Sequence, residues 1–360
     1  MTTGRKTAWW AAILVATVLA VYLLRDMLLP FVVGMGVAYL CDPLADRLER
    51  LGLNRALATT VITFLAFSLF LVILVVLVPL IVEQTAALLK QLPEYATRAA
   101  EIMRNVVYDL EQAAEKQGVQ VSEAEKADAI KRYAQQAIDF FGQIIGDLLR
   151  GGVAILNFLS LIIIAPVVSF YLLMDWDRMV DAIRKWLPKE HIEEVETIAR
   201  EIDRTLSGFV RGQGLVCLVL IAYYASLLEL AGLNFGFLIG VVSGALSFIP
   251  FVGAIFGAIS SIGLAVVQFG VESIWPIIPV VAIYIVGQIL EGYVLTPKLV
   301  GDKVGLHPVW VMFGVLAGGV LFGFVGMLLA LPVSAVIGVL ARHGLQRYLN
   351  SRLYDPNNPA

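Results

Sequence analysis

Eight long apolar runs organise the chain, at residues 8–24, 27–41, 56–82, 151–174, 212–230, 235–269, 274–295 and 308–341. A helix that crosses a hydrocarbon core of ~30 Å needs about 20 apolar residues, fewer where it is packed deep in protein. Backbone amides and carbonyls cannot stay unpaired against lipid, so spanning segments are helices or closed barrels. The period-two alternation of barrel strands is absent, which leaves helices. Composition agrees. Of 360 residues, 59% are hydrophobic and 15% charged, and the mean hydropathy is +0.84. A soluble domain is roughly 45–50% apolar and about 25% charged. The surplus apolar surface must face lipid, which argues against a cytosolic or secreted enzyme.

The polar residues set the topology. Arg5 and Lys6 precede the first run, Arg47, Arg50 and Arg55 follow the second, Lys298 and Lys303 follow the seventh, and Arg342, Arg347 and Arg352 follow the last. By the positive-inside rule these four places are cytoplasmic, and so are both termini. The first run could pass for a signal peptide, but another apolar run follows after only Arg25 and Asp26, so it reads as a retained anchor. Residues 83–147 show helical apolar spacing and read as an extramembrane, periplasmic helical region. Residues 175–211 carry Ile192, Val195, Ile198, Ile202, Leu206 and Phe209 at helical spacing beside Arg184, Lys185, Arg200 and Arg204. They read as an amphipathic cytoplasmic helix. The plan is thus helices 1–3 in 1–82, the region 83–147, a fourth span in 148–174, the amphipathic helix 175–211, a core in 212–345 and a tail from 346 to 360.

Two runs have the wrong length. The run 235–269 holds 35 residues. As one helix it would reach about 52 Å, far more than the bilayer core, yet two full spans and a turn would need more than ~40 residues. A hairpin that enters partway and returns fits. Its break falls at Phe248-Ile249-Pro250-Phe251-Val252-Gly253, where Pro250 removes a backbone donor and Gly253 relaxes the chain. The run 308–341 poses the same problem, with its break in the glycine-rich stretch Gly318 to Gly326 that includes Gly319 and Gly323. Two re-entrant hairpins also keep every basic segment inside. The expected fold is all-α, a polytopic membrane protein with about six spanning helices and two re-entrant helical hairpins of inverted orientation.

The two runs resemble each other, Gly240 to Phe248 lying over Gly314 to Phe322 and Phe251-Val252-Gly253 over Phe324-Val325-Gly326. Paired Gly/Pro-interrupted segments in inverted repeats point to a transporter binding site. Broken helices survive at membrane depth only where protein buries them or where they line a wet cavity, and their freed backbone groups can then bind a polar solute or a cation. The competing reading is that small residues merely let helices pack closely.

Among side chains, Glu291 stands out, in an apolar helix with Gln288 one turn before it on the same face. A carboxyl group inside a membrane is costly to charge, which suits proton coupling; the alternative is an interfacial Glu reaching cytoplasmic headgroups beside Pro297 and Lys298. The pathway candidates are therefore Ser247, Pro250, Gly253, Gln288, Glu291, Gly319, Gly323 and Gly326. Secondary candidates are Arg211, read as interfacial, Gln213, Asn234 as a cap of the first hairpin helix, and Ser243. A net charge of −3 offers nothing to nucleic acid. Cys41 and Cys217 read as small buried hydrophobes, and His191, His307 and His343 have no metal-ligand spacing. No catalytic or nucleotide motif occurs, so neither an enzyme, a metal nor a cofactor is expected, and the coupling ion would be sodium or a proton.

Asn234-Phe-Gly236, Gly240 and Ser247 to Gly253 resemble the first signature of the autoinducer-2 exporter family of bacterial permeases. Gln288-Ile-Leu-Glu291-Gly292, Pro297-Lys298, Gly301 and Leu306-His307-Pro308 resemble its second. Gly318-Gly319, Leu321-Phe322-Gly323, Gly326-Met327 and Pro332 resemble its third, while Arg211-Gly212-Gln213, Tyr39-Leu40 and Pro43-Leu44 also match. Tyr293 departs from the pattern, standing where many members have Asn. The resemblance implies a bacterial inner-membrane transporter that forms a homo-oligomer. Some members are linked to autoinducer-2 export and others to sodium–proton antiport. The leading expectation is a secondary transporter exporting a small polar solute on an ion gradient. A sodium–proton antiporter and a scaffold without transport are the alternatives.

Overall fold

The computed structural model describes residues 23–24, 27–115, 151–187, 189, 192–270, 273–300, 307–350 and 354. Regular structure among them is all helical: α1 (Leu28–Arg50), α2 (Arg55–Glu115), α3 (Gly151–Trp186), α4 (Ile192–Leu230), α5 (Gly236–Leu246), α6 (Val252–Phe269), α7 (Ile277–Ile289), a π-helix (Leu290–Val300) and α8 (Pro308–Leu349). Among the described residues, seven helices are long and apolar enough to cross a membrane. The first apolar run, apart from Leu23 and Leu24, lies outside the described residues, as do residues 116–147 of the polar region. The most apolar spanning segment, Arg55–Leu88 of α2, is also the least packed: its Phe64, Leu65, Leu69, Val72 and Val75 are all exposed, as lipid-facing residues must be.

Two expected boundaries prove to be changes of surroundings rather than breaks in the backbone. α2 runs on past residue 83 for 61 residues in all, with Pro79 and Pro93 inside it. The expected single amphipathic helix 175–211 is divided: residues 175–186 are the end of α3, and 192–211 are the first half of α4, which passes into the apolar run at Arg211-Gly212 without interruption. Nothing at either boundary ends a helix, so polarity changes while hydrogen bonding continues.

α1, α2 and α3 pack around Ala38, Cys41, Ala45, Ile62 and Leu173. Gly34 lets α1 approach α3 closely, and Ser169 of α3 donates to the Gly34 carbonyl at 2.7 Å. Arg55 closes this corner. Its guanidinium donates to the Leu173 carbonyl at 2.8 Å and meets Asp46, Glu49 and Asp42 at 2.9, 3.0 and 3.2 Å.

α4 is the spine of the second half, and α5 lies against it backbone to backbone. A Cβ at Gly236 would meet the Leu228 carbonyl, one at Gly240 the amide of Ala225, and one at Gly244 the amide of Ile221. As α5 advances, its partners on α4 recede, so the helices are antiparallel. This four-residue glycine spacing is the small-xxx-small pattern of close membrane helix packing. α5 has 11 residues, about 16 Å, and cannot span alone. The chain then turns through residues 247–251 and returns as α6. Gly253 faces Ser243 and Ser247 near the turn, while at the open end Gln268 accepts from the Asn234 amide at 2.8 Å and donates to the Gly232 carbonyl at 2.8 Å. The expected break at Pro250 is present, but the left-handed residue there is Phe251 (φ 67°), not Gly253. Gly253 is needed for space: a Cβ would strike the Ser247 amide.

α8 also reverses. Gly323, at φ 61° and ψ −141°, lies outside helical geometry in a region that glycine alone adopts freely. On either side the backbones of Gly318 and Gly326 touch, and Gly314 faces Ser334. Arg342 and Arg347, near the end of the returning arm, reach Glu201 and Glu194 near the start of α4. The two hairpins therefore open toward opposite ends of α4, and their flanks meet where Ile249 packs with Val315 and Ala330.

Replacing Gly240 with Ala should cost about 1–3 kcal/mol, because the new methyl overlaps the Ala225 backbone. Gly263→Ala, where a Cβ would meet nothing within 4 Å, is the control and should not weaken the fold. Thermal unfolding of the detergent-purified protein measures both.

Candidate functional site

A helix interrupted inside an apolar core leaves carbonyls without donors. At the first hairpin the polar side chains are arranged around that deficit. Pro250 has no amide to offer. The Ser247 carbonyl instead accepts from Nε2 of Gln213, a buried side chain of α4, at 2.7 Å. The Ser247 hydroxyl donates to the Ser243 carbonyl at 3.0 Å, and the Ser243 hydroxyl donates to the Gly253 carbonyl at 2.9 Å, linking the two arms. Gln213, Ser243, Ser247 and Gly253 thus form one network below the turn at Pro250.

A second polar layer adjoins it. The Ser261 hydroxyl donates to the Tyr284 hydroxyl at 3.1 Å, and Gly257 opens the space there, since a Cβ would crowd both the Ser243 and Tyr284 hydroxyls. Tyr284 stacks on Tyr224 of α4 with ring centroids 4.7 Å apart and planes 18° from parallel. Gly287 gives Tyr224 its room, a Cβ there being 2.5 Å from the hydroxyl. One residue further, Gln288 donates to Glu291 at 3.2 Å, as their spacing predicts. Glu291 is half-buried at the start of the π-helix, within electrostatic reach of Cys217 and Tyr224. α4 approaches the π-helix most closely at Gly212, where a Cβ would overlap the Leu299 carbonyl.

Gly319, Gly323 and Gly326 belong to the other hairpin and join this region through the Ile249, Val315 and Ala330 contact. Two candidates lie apart. Arg211 donates to the Tyr39 carbonyl at 2.9 Å and ties α4 to α1. Asn234 does not cap α5. Phe235 occupies the capping position in a left-handed conformation (φ 60°), which turns Asn234 away. Its amide group donates to the Tyr95 hydroxyl at 2.9 Å instead. The orphan amides of α5 are met by Glu229, which accepts from Phe237 at 3.2 Å, and by Gln84 of α2, which accepts from Leu238 at 3.1 Å. Glu83, Gln84, Gln91, Glu229 and Asn234 line a cleft of about 500 Å³ at this open end.

The tyrosine pair was not singled out in the sequence. Its signal was there: each Tyr sits in an apolar run, and glycines at 257 and 287 leave space that only a partner from elsewhere in the chain would fill. No group of three metal-ligating side chains comes together among the described residues.

Residues 11–346 match the profile of the AI-2E family transporter. YrrI of Bacillus subtilis (strain 168), which carries a provisional transport-protein name, is 27% identical over 351 residues, covering 94% of this chain and 96% of its own. PerM of Escherichia coli (strain K12), provisionally named a permease, is 27% identical over 328 residues, covering 90% and 89%. The AI-2 transport protein TqsA of the same strain is 22% identical over 336 residues, covering 93% and 91%. With several apolar helices of spanning length and relatives of this kind, the chain is a multi-pass membrane protein of the permease class. It belongs to the AI-2E family of transporters. That family consists of transporters and permeases rather than enzymes, which makes membrane transport of a small solute the activity to be explained.

Gln213→Leu should cost about 1–3 kcal/mol, since it strands the Ser247 carbonyl in the core. Ser247→Ala should cost less, because the Ser243 carbonyl keeps the Ser247 amide as donor at 3.0 Å. Thermal unfolding in detergent ranks the two.

Proposed function

We propose that this protein is a secondary transporter of the bacterial inner membrane that exports a small polar solute on an ion gradient. Two hairpins opening toward opposite ends of α4, with a polar interior beside them, carry this reading. In a bilayer such hairpins would enter from opposite faces, each closing one side of a central site. α4, α5, α6 and α7 would act as one body, since glycine contacts and the Gln213, Ser243, Ser261 and Tyr284 hydrogen bonds join them. The second hairpin, held to the first by a small apolar contact, would be the part that shifts. Ion pairs of Arg342 and Arg347 with Glu201 and Glu194 would be broken and remade at its cytoplasmic end.

For the solute, the relative named as an AI-2 transport protein supports an AI-2-like molecule. Glu291 would carry the coupling proton, with Gln288 steadying its charged form. That same pair also supports a second reading, sodium–proton antiport without an organic solute.

Purified protein in sealed vesicles loaded with AI-2, under an imposed proton or sodium gradient, tests the proposal. AI-2 should leave only when the gradient is present, and Glu291→Gln should remove the gradient dependence. Sodium-driven proton movement with no AI-2 flux would favour the second reading. If no gradient moves AI-2, sodium or protons, both readings fail.

A further inference from the structure

We propose that the Tyr224 hydroxyl hydrogen-bonds the transported solute directly and helps select it. The inference rests on the transport reading above and names a residue of that same site.

Tyr224 is 0% exposed, and its hydroxyl has no hydrogen-bond partner. Gln288 comes near it but not in bonding geometry. A buried hydroxyl left unmet is a standing cost, and native proteins retain few of them. Nothing in the packing requires this one, since a phenylalanine ring would fill the same stack on Tyr284. The surroundings hold the group in place. Tyr284 lies against one face of the ring, Tyr223 meets it edge-on with centroids 5.2 Å apart, and Tyr223 is itself fixed by donating to the Ile283 carbonyl at 3.0 Å. Gly287 sets the hydroxyl against bare backbone, where any side chain would displace it. The next polar groups after Gly287 are the Gln288 amide at the end of α7 and the Glu291 carboxylate at the start of the π-helix.

The contrast with Tyr284 is informative. Its hydroxyl accepts from Ser261 and belongs to the network that joins the first hairpin to α7. Two stacked tyrosines therefore differ in one respect: one hydroxyl serves the fold and the other is buried without a partner. A phenol from α4 with an amide from α7 and a carboxylate from the π-helix offers both donors and acceptors. That set suits an uncharged solute bearing hydroxyl or carbonyl groups. A bare alkali cation would want a shell of several oxygens, and around Tyr224 the rings and glycine do not supply one.

The test uses Tyr224→Phe and Tyr284→Phe in the full-length protein, with AI-2 as the probe. Two measurements are made on each: thermal unfolding in detergent, and gradient-driven AI-2 efflux from vesicles across a range of internal concentrations. Tyr224→Phe should melt no lower than wild type, while its half-saturation concentration rises about fivefold with the maximal rate within about twofold. Tyr284→Phe should melt below wild type. Wild-type half-saturation in Tyr224→Phe would overturn the proposal, because the hydroxyl would then not touch solute. A lowered melting point would also overturn it by revealing a structural partner, and so would a loss confined to the maximal rate. A wild-type protein that moves no AI-2 overturns the transport reading for this solute and the inference with it. Silence of the wild type itself marks that case.

Discussion

The contact of α5 with α4 determines most of what the second half of the chain can do. Three glycines four residues apart place backbone on backbone, closer than any side chain would allow. Lipid offers apolar surfaces little reason to associate, so close packing and satisfied polar groups must hold membrane helices together. With α5 seated this way, the turn at 247–251 is carried to the level of Gln213, and the interrupted helix finds the donor it lacks. α6 returns beside α5, α7 stacks its tyrosine on that of α4, and Gly212 admits the Leu299 carbonyl. A side chain anywhere along the stripe would displace this sequence of contacts together.

The two hairpins solve the same backbone problem by different means. The first turns through a proline and a left-handed Phe251, and side chains of serine and glutamine take up the freed groups. The second turns at Gly323 and closes its arms through Gly318 and Gly326, with little polar side chain involved. One is thus fastened by directional bonds and the other by close backbone contact and apolar packing. Hydrogen bonds with fixed partners resist sliding more than apolar surfaces do. This difference is what would suit the second hairpin to the moving part in the proposed transport cycle.

Much of this was legible in the chain itself. Run length marked both hairpins, because 1.5 Å per residue against a bilayer of known thickness leaves few options, and Pro250 and the glycines around 323 marked the turns. The Gln288 and Glu291 pairing followed from helical spacing. What stayed hidden depends on contacts between residues far apart in sequence. Asn234 stood where a cap belongs, yet Phe235 took the left-handed conformation and Gln84 and Glu229 served the amides. Pro297 disturbs Leu290–Val300, yet nothing in that sequence specifies a π-helix. It lies where Gly212 and Leu299 press together, a contact that spacing along the chain does not announce. The tyrosine stack needed α4 and α7 side by side before either ring acquired a meaning.

The basic residues from which the topology is expected have a second role once the chain folds. Arg55 is enclosed by Asp42, Asp46 and Glu49, and Arg342 and Arg347 meet Glu201 and Glu194. During insertion these side chains act as single charges read against the membrane potential and the translocation machinery. After folding, their fields are largely cancelled by carboxylates within a few ångströms. Around Arg55 three carboxylates meet one guanidinium, with Arg47 and Arg50 on the last turn of α1 beside them. The finished protein therefore presents anionic lipid headgroups with a weaker attraction at these places than its arginines suggest. On the expected topology, orientation would be held by the fold rather than by the charges that first set it.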